Sequence, residues 1–314
     1  MTIGIDIGGT KVAAGLVDSS GAITAKVRVP MVATADAAAG FAAVRNAVEA
    51  VFTECPGARA ALKGIGICSP GPLDPKTGVV LNPPNLPCWR DFPLAAETER
   101  AFGVPARVDN DANAAALAEV LWGAGQGFAN VFYATLGTGI GSGIVFDRRI
   151  YHGRTGLAAE GGHMTIDYNG PRCGCGKHGC IEVLCSGPAI AVRARGKLTG
   201  GGGSRILELA GGDLQQVRAE HVGQAYREGD ATATLILRET AHLLAIWLGN
   251  IVDLLEPDIM VIGGGVAELM SSFFQSIRED LPAWSINPRA AEVPLAMARY
   301  GADAGVAGAG SLCF

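Results

Sequence analysis

One histidine and three cysteines that lie close together in the chain place the strongest constraint on its fold. They are His163, Cys173, Cys175 and Cys180, and glycines separate the cysteines. Three thiolates and one imidazole complete a tetrahedral zinc shell and leave no position open for water, which is typical of a structural zinc site. The glycines allow the backbone to wrap tightly around a small ion. The sequence therefore predicts a structural Zn²⁺ that holds neighbouring polar side chains in place.

The composition describes a chain with a large hydrophobic core and a mildly acidic surface. The length of 314 residues is enough for two domains of ordinary size. Of these residues, 49% are hydrophobic and 18% are charged. The net charge of -5 argues against a nucleic-acid or anionic membrane partner. A strand pattern begins directly after Met1 without the basic region of a signal peptide, and the eight cysteines are expected to be reduced. We therefore expect a cytoplasmic protein.

One apolar segment, Ala231–Leu255, is long enough to suggest a membrane span. Charges at close spacing are costly in hydrocarbon, and the segment is interrupted by Arg238, Glu239, His242 and Asp253. We expect instead a long helix packed between domains or subunits, and no membrane partner. The apolar residues of its second half, Leu243–Leu255, favour a homodimer.

Two glycine-rich turns occur in closely similar settings. The first eighteen residues alternate apolar and small residues, break at Gly8-Gly9-Thr10 and resume, which predicts a β-hairpin. A second copy runs from the strand pattern Val131–Leu136 into Gly137-Thr138-Gly139. In this alignment Gly8 falls on Gly137, and the two returning strands end at equivalent aspartates. The repeat predicts two halves built on a common plan, each with its own sheet.

These turns are candidates for phosphate binding. Backbone N–H groups in a glycine turn can approach a phosphate closely. Asp6 stands at the end of the first strand, where it could hold Mg²⁺ directly or through water. A single glycine hairpin is more commonly only a turn, but two of them facing a cleft would grip a nucleotide from both sides.

The remaining pattern alternates strands and helices, which favours layered α/β structure. The predicted helices are Ala37–Phe52, Ala112–Trp122, Asp213–Glu228, the segment after Asp230, one from Val266 and the tail Gly301–Leu312. The predicted strands are Leu62–Cys68, Val104–Val108 and Asp258–Ile262. The predicted loops are the Pro-rich Pro70–Pro93 and Gly200–Gly203.

Three groups of acids and amides fit chemistry on a polyol. Asn110 and Asp111 precede a predicted helix, where either residue would serve as the N-cap. Capping needs only one of them, so the surplus indicates a general base within reach of a hydroxyl. Glu160 and Glu182 flank the predicted zinc cluster and suit paired hydrogen bonds from adjacent sugar hydroxyls. The alternative for both glutamates is plain surface charge.

The chain resembles the ROK sugar kinases, bacterial enzymes of the actin-like, hexokinase-type ATPase fold, which is related to ribonuclease H. Asp6–Lys11 looks like the family's first phosphate motif, and Leu136–Gly141 looks like its second. Asn110-Asp111 falls on the sugar and catalytic-base pair. Cys173–Glu182 fits the pattern Cys-x-Cys-Gly-x-x-Gly-Cys-x-Glu in full. The motifs follow one another in order over nearly the whole chain.

The resemblance implies a role for each motif. Asp111 would accept the proton of the sugar 6-hydroxyl as that oxygen attacks the γ-phosphate of ATP, with Mg²⁺ neutralising the phosphates. The residues implied in sugar binding are Gly71, Asn85, Asn110, Asp111, Glu160, His163 and Glu182. Those implied in binding Mg-ATP are Asp6, Gly8, Gly9, Thr10, Lys11, Gly137, Thr138, Gly139, Gly263 and Gly264. His163 would bind zinc through one ring nitrogen and face the sugar with the other.

The resemblance also implies two α/β domains with the active-site cleft between them. Residues 1–111 would form a small N-terminal domain, joined by a C-terminal helix at 301–314. Residues 112–300 would form a large domain that contains the zinc site. One position departs from the family, which has a bulky apolar residue where this chain has Gly161. We expect this departure to change the packing of the loop and the position of Glu160.

Alternatives for the substrate and the activity stay open. Asn82-Pro-Pro-Asn85 followed by Trp89 and Phe92 resembles the loop of the family's glucokinases, which favours glucose. N-acetylglucosamine, N-acetylmannosamine, mannose and fructose differ from glucose only around C1 and C2, and polyphosphate is an alternative donor to ATP. A non-catalytic sugar-binding regulator is disfavoured, because the family's repressors carry a helix-turn-helix for which we see no room before Asp6.

Overall fold

The computed structural model of the protein describes residues 1–34, 36–199 and 203–314. The strands are β1 (Thr2–Ile7), β2 (Lys11–Val17), β3 (Ile23–Pro30), β4 (Ile65–Cys68), β5 (Leu73–Asp74), β6 (Val79–Val80), β7 (Ala106–Asp109), β8 (Asn130–Leu136), β9 (Ile140–Phe146), β10 (Arg149–Ile150), β11 (Ile259–Gly263) and β12 (Leu295–Met297). The helices are α1 (Ala37–Glu54), α2 (Ala58–Ala61), α3 (Leu94–Phe102), α4 (Asp111–Trp122), α5 (Ile181–Cys185), α6 (Gly187–Leu198), α7 (Arg205–Leu209), α8 (Ala219–Arg227), α9 (Ala231–Leu255), α10 (Gly265–Met270), α11 (Phe274–Asp280) and α12 (Ala304–Ser311).

Two five-stranded sheets share one strand order. The first has the order β3-β2-β1-β4-β7 and the second β10-β9-β8-β11-β12. In the first sheet β1, β2 and β3 pair antiparallel, while β4 pairs parallel with β1 and β7 pairs parallel with β4. In the second sheet β10 is antiparallel to β9, and β12 is parallel to β11. The predicted hairpins are β1-β2 and β8-β9, so the prediction of two halves on a common plan is confirmed.

The chain forms two compact units. Unit 1 comprises residues 1–133, 143–159 and 299–314, and unit 2 comprises residues 134–142 and 160–298. The chain thus changes unit within β8 and again within β9. The domain ranges 1–111 and 112–300 are a prediction about folding domains, and they stay a prediction.

The core of unit 1 lies on both faces of the first sheet. Apolar residues of β1, β2 and β4 form one buried cluster with those of α1. The cluster includes Ile3, Ile5, Val48 and Ile67. The helix α12 consists mostly of alanine and glycine and packs against β1, β4 and α4. Small side chains on α12 allow its backbone to approach the sheet closely.

The long helix α9 belongs to unit 2. By length and composition it would be able to cross a membrane, but 61% of its most apolar window is buried within the protein. The core helices of other proteins can be equally long and apolar. Trp247 is fully buried, whereas Asp253 and Leu254 are exposed. This burial fits the packed helix that the sequence predicts.

Most predicted elements are present, and one helix prediction is wrong. Asp213–Glu228 is not a single helix, because a 3-10 turn at Leu214–Gln216 is followed by extended backbone at Val217 and Arg218 before α8 begins. Asp213 accepts a hydrogen bond from the N–H of Gln215, which stabilises the separate turn. The Pro-rich segment is irregular except for β5 and β6. Of the predicted loop at 200–203, residues 200–202 lie outside the described residues.

Candidate functional site

The parallel strands of unit 1 end at one edge of their sheet. Asp6 of β1 is paired in register with Cys68 of β4, and Cys68 is paired with Asp109 of β7. The residues that follow β4 and β7 therefore emerge beside Asp6. They include Gly71 of the Pro-rich loop and the Asn110-Asp111 pair. In open α/β sheets, ligands bind at the carboxyl ends of the strands.

The first glycine turn also lies at this edge. The N–H of Gly8 donates to the carbonyl of Lys11 over 2.9 Å and closes the turn between β1 and β2. A methyl group added to Gly9 would lie 3.0 Å from the carbonyl oxygen of Asn85, so the two backbones pass close together. The structure thus brings Gly8, Gly9 and Asn85 to the same part of unit 1 as Asp6.

At the start of α4, Asn110 caps the helix, and the next residue carries a carboxylate that the cap does not need. Asn110 is the N-cap, and its Oδ1 accepts hydrogen bonds from the N–H groups of Ala112 at 2.9 Å and Asn113 at 3.4 Å. Asp111 accepts a further bond from the N–H of Ala112 through Oδ1 at 2.8 Å, and the residue is exposed. Asp111 is therefore an accessible carboxylate at a helix N-terminus, where the cap does not require it.

Two carboxyl groups at this edge influence each other. The pKa of Asp6 is raised to about 6, mainly by burial and next by the negative charge of Asp111, while Lys11 lowers it. The pKa of Asp111 is also raised, mainly because the surrounding protein displaces part of the water near its carboxylate, although the hydrogen bond from Ala112 lowers it. Perturbed carboxyl groups in such a setting are candidates for proton transfer and cation binding.

Sequence reasoning missed a buried contact beneath this pair. Asp109 is 3% exposed, and its Oδ2 lies 2.6 Å from Nε2 of His152. Its Oδ1 accepts bonds from the N–H of Asn110 at 2.8 Å and from the side-chain amide of Asn113 at 3.1 Å. Asp109 therefore fixes the backbone that carries the Asn110-Asp111 pair. His152 is far from Asp109 in sequence, and no local signal announced their contact.

In unit 2, the second glycine turn is held by one of the predicted sugar ligands. The N–H of Gly137 donates to the carbonyl of Gly139 over 2.9 Å. The N–H of Ile140 donates to Oε2 of Glu182 over 2.9 Å. The other oxygen of Glu182 lies 4.0 Å from Nδ1 of His163. Glu182 thus links the glycine turn to the cysteine-histidine cluster.

A cavity of about 740 Å³ opens beside the second glycine turn. Its lining includes Gly137, Thr138, Gly187, Pro188, Arg195, Arg218, Glu220, Arg227, Gly265, Val266, Glu268 and Leu269. Cavities of about 300–1,000 Å³ suit ligands of nucleotide size. Gly263 ends β11 and Gly264 is the N-cap of α10, directly before the lining residue Gly265. The three arginines were missed, because Arg195 belongs to α6 and the other two to the start and end of α8, and no local pattern reveals how these helices pack.

The predicted metal ligands converge. One ligand atom from each of His163, Cys173, Cys175 and Cys180 lies within 4.8 Å of the others. The Cys173 sulfur is 3.6 Å from Nδ1 of His163, and the Cys175 and Cys180 sulfurs are 3.7 Å apart. With Zn–S bonds of about 2.3 Å, a tetrahedron places two sulfur ligands roughly 3.8 Å apart. The donor set and its spacing therefore fit a tetrahedral ion such as Zn²⁺.

Electrostatics at the cluster also favour a cation. The pKa of Cys180 is raised to about 12, mainly by burial and next by the neighbouring Cys175 and Cys173. The backbone N–H of Lys177 lowers the pKa of Cys175, which is exposed. Three thiolates at this spacing repel one another, and a divalent ion offsets that repulsion.

The position that departs from the family is explained by its neighbours. Gly161 begins a 3-10 turn, Gly161–His163, that follows Glu160. A methyl group added to Gly161 would lie 2.6 Å from Oγ of Ser142 and 3.4 Å from the Trp247 ring. Ser142 and Trp247 therefore occupy the space that a bulky side chain at residue 161 would need.

Comparisons with known proteins agree with this geometry. A family model described as the ROK family matches residues 2–313. The glucokinase of Streptomyces coelicolor is 34% identical over 317 residues, which span 99% of this chain and 97% of that protein. The N-acetylmannosamine kinase of Salmonella typhi is 33% identical, over 99% of this chain and 97% of that protein.

A solved structure shows the same architecture. The crystal structure of a ROK family glucokinase from Streptomyces griseus in complex with glucose and AMPPNP matches with a TM-score of 0.78 and 35% identity. The match covers 99% of this chain and 98% of that one. The prediction of a two-domain α/β fold of this type is therefore confirmed.

Proposed function

Because the chain belongs to the ROK family, we propose that it is an ATP-dependent hexose kinase that phosphorylates the 6-hydroxyl, with glucose as its preferred substrate. The observation that carries the proposal is Asp111, an accessible carboxylate with a raised pKa at the strand-end edge of unit 1. A general base works best when its pKa approaches the operating pH. A hydroxyl is a weak nucleophile that needs such a base.

In the proposed reaction, a carboxylate oxygen of Asp111 takes the proton of the sugar 6-hydroxyl. The 6-oxygen forms a bond to the γ-phosphorus as the bond from that phosphorus to the β,γ-bridging oxygen breaks, and ADP leaves with the bond's electron pair. Asp6 and the N–H groups around Gly8 would hold the Mg²⁺ and phosphate end of the nucleotide. Mg²⁺, when bound, neutralises the charge that develops on the phosphate oxygens. Thr10, Lys11, Gly137, Thr138 and Gly139 are assigned to the same nucleotide.

The assignment of ATP as donor is supported by the cavity of unit 2. Its volume suits a nucleoside, and Thr138 of the glycine turn lines it together with Gly265 and Val266. The same lining carries three arginines, Arg195, Arg218 and Arg227, against two glutamates, Glu220 and Glu268, so its formal charge is positive. An inorganic polyphosphate donor would leave the apolar part of this cavity without a use.

The sugar-binding role is assigned to residues of both units. Glu160, His163 and Glu182 would contact hydroxyls from unit 2, and Gly71, Asn85 and Asn110 from unit 1. Zn²⁺, when bound to the four-residue cluster, would fix the turn that carries His163 and the start of α5, which carries Glu182. Glucose is preferred because glucokinases are among the relatives at 34–36% identity over 99% of the chain. An N-acetylmannosamine kinase at 33% identity makes the acetylated hexosamines the second candidates.

The test is a coupled phosphorylation assay on purified protein with ATP and a panel of sugars. The panel contains glucose, mannose, fructose, N-acetylglucosamine and N-acetylmannosamine. The expected result is the highest kcat/KM with glucose. A preference for an acetylated sugar would retain the kinase and correct its substrate. The absence of turnover with every sugar, repeated with polyphosphate as donor, would overturn the kinase and favour a sugar-binding regulator.

Glu182 offers a test of the sugar assignment. Glu182→Gln is expected to raise the KM for the hexose by about tenfold, because a neutral amide binds sugar hydroxyls less strongly than a carboxylate does. The KM for ATP should change little, since the amide oxygen can still accept the bond from the N–H of Ile140. Steady-state kinetics with each substrate varied in turn measure both values. Equal losses for the two substrates would contradict the assignment.

Asp6 should make stability depend on pH. Its pKa is about 6 in the folded protein against an ordinary 3.8, so the folded state binds the proton more tightly. The stabilisation that comes from this tighter proton binding is complete below pH 3.8 and is lost as the pH rises through 6. Asp6→Asn should therefore stabilise the protein at pH 7.5 by on the order of 1 to 2 kcal/mol, while it weakens turnover.

The check is thermal unfolding of both proteins between pH 4 and pH 8. The advantage of Asp6→Asn should shrink as the pH falls, since the wild-type carboxyl then becomes neutral as well. A pH-independent difference in Tm would show that the carboxylate carries no such cost.

A further inference from the structure

We propose that Trp247 and Ser142 are positioning residues that determine hexose affinity by holding Gly161 between them. The inference rests on the proposed function, because Gly161 is flanked by Glu160 and lies two residues before His163. Neither Trp247 nor Ser142 is assigned to the sugar or to the nucleotide. They act through the backbone that carries the ligands.

Both peptide groups of Gly161 are bound by buried side chains. Its N–H donates to Oγ of Ser142 over 2.9 Å, and its carbonyl accepts a hydrogen bond from Nε1 of Trp247 over 3.1 Å. Trp247 is 0% exposed and Ser142 is 5% exposed. Loss of the Ser142 hydroxyl would leave the buried N–H of Gly161 unsatisfied, and loss of the Trp247 N–H would remove one of the two hydrogen bonds that the Gly161 carbonyl accepts. The position of residue 161 is therefore fixed from both sides.

Backbone hydrogen bonds connect Gly161 to the neighbouring residues Glu160 and His163. The N–H of His163 donates to the carbonyl of Glu160 over 3.1 Å, and the N–H of Met164 donates to the carbonyl of Gly161 over 3.1 Å. These bonds make residues 160–164 one rigid turn. A shift of Gly161 therefore moves the Glu160 carboxylate and the His163 ring together.

The contact leaves no spare room. A methyl group on Gly161 would lie 2.6 Å from Oγ of Ser142, and one on Gly162 would lie 1.8 Å from the carbonyl oxygen of Ile140. Ser142 and Ile140 belong to β9, whereas Trp247 belongs to α9. The turn is thus pressed between a strand and a long helix. Displacement of a ligand-bearing group by about 1 Å can cost as much as 100-fold in rate or affinity.

The first experiment replaces Trp247 by phenylalanine, which removes the indole N–H and keeps an aromatic ring in the core. The KM for the hexose is expected to rise about tenfold, with kcat and the KM for ATP nearly unchanged. The matched control is Trp122→Phe in unit 1, where Nε1 donates to the carbonyl of Ser19 over 3.1 Å. The Tm should fall by a similar amount in both variants, but only Trp247→Phe should change the KM for the hexose.

A second experiment tests the contact with Ser142. Gly161→Ala should raise the KM for the hexose, because its methyl group meets Oγ of Ser142. Adding Ser142→Ala removes that atom, and the next atom of residue 142 is 3.5 Å away. Ser142→Ala alone should also raise the KM, because it leaves the N–H of Gly161 without its acceptor. The double variant should therefore lose less affinity than the sum of the two single variants. Additive losses would contradict the proposed contact.

Hexose binding by calorimetry separates this inference from the proposed function. A wild-type protein that binds a hexose without phosphorylating it would overturn the kinase, yet the positioning role would still predict weaker binding by Trp247→Phe. An unchanged dissociation constant in Trp247→Phe, or a hexose effect equal to that of Trp122→Phe, would overturn the positioning role. A wild-type protein that neither binds nor phosphorylates any hexose would overturn both.

Discussion

Asp111→Asn is expected to lower kcat by two to four orders of magnitude, the usual contribution of a general base. The amide cannot take the proton of the sugar hydroxyl. It can still accept the hydrogen bond that the N–H of Ala112 now donates to Oδ1 of Asp111 at 2.8 Å, so the start of α4 should stay folded. The dissociation constants for hexose and ATP should change by less than tenfold. Stopped-time product assays and calorimetry measure these quantities.

The matched control for this variant is Asp36→Asn. Asp36 is also an aspartate at a helix start, where Oδ1 accepts the N–H of Ala39 at 2.8 Å, but it has no assigned role in the reaction. Its kcat should equal that of the wild type. Near-normal turnover in Asp111→Asn would rule out this residue as the base.

Cys175→Ser is expected to abolish zinc binding and to weaken hexose binding in the same protein. A structural zinc is worth roughly 10 kcal/mol or more in small zinc peptides, and serine is a poor replacement for a thiolate ligand. Cys175 is exposed, whereas Cys173 and Cys180 are buried, so this substitution removes a ligand without unpacking the core. We expect the zinc content to fall from one ion per chain to nearly none, and the KM for the hexose to rise at least tenfold.

The control is Cys55→Ser, which removes a half-buried thiol of unit 1 outside the cluster. Metal content is measured by mass spectrometry of the purified proteins, and circular dichroism verifies that each is folded. One zinc per chain in Cys175→Ser would remove this residue from the ligand set. Lost zinc with unchanged hexose kinetics would show that the ion has no effect on the sugar site.

The sequence predicted those parts of the molecule that depend on local signals. A glycine turn between alternating strands specifies a hairpin by itself, and both hairpins are present with the predicted offset between Gly8 and Gly137. Asn110 and Asp230 are strong N-cap residues, and α4 and α9 begin directly after them. The cluster of His163 and the three cysteines was also predictable, since one ion demands that its ligands converge.

Features that arise only from tertiary packing were not predictable. The break before α8 occurs at Val217 and Arg218, and neither residue disfavours a helix strongly enough to mark it. The contact of His152 with Asp109 joins two distant segments, and so does the contact of Trp247 with Gly161. For Gly161 the sequence indicated an unusual position, but only the packed neighbours explain it.

The path of the chain between the two units has a practical consequence for dissecting this protein. It passes from one unit to the other at residues 133–134, 142–143, 159–160 and 298–299. No single cut in the gene therefore yields either unit whole, and a fragment ending near residue 133 lacks the part of unit 1 that includes α12. Expression of isolated halves is unsuited to assigning nucleotide or sugar binding, and such work requires point substitutions in the intact chain.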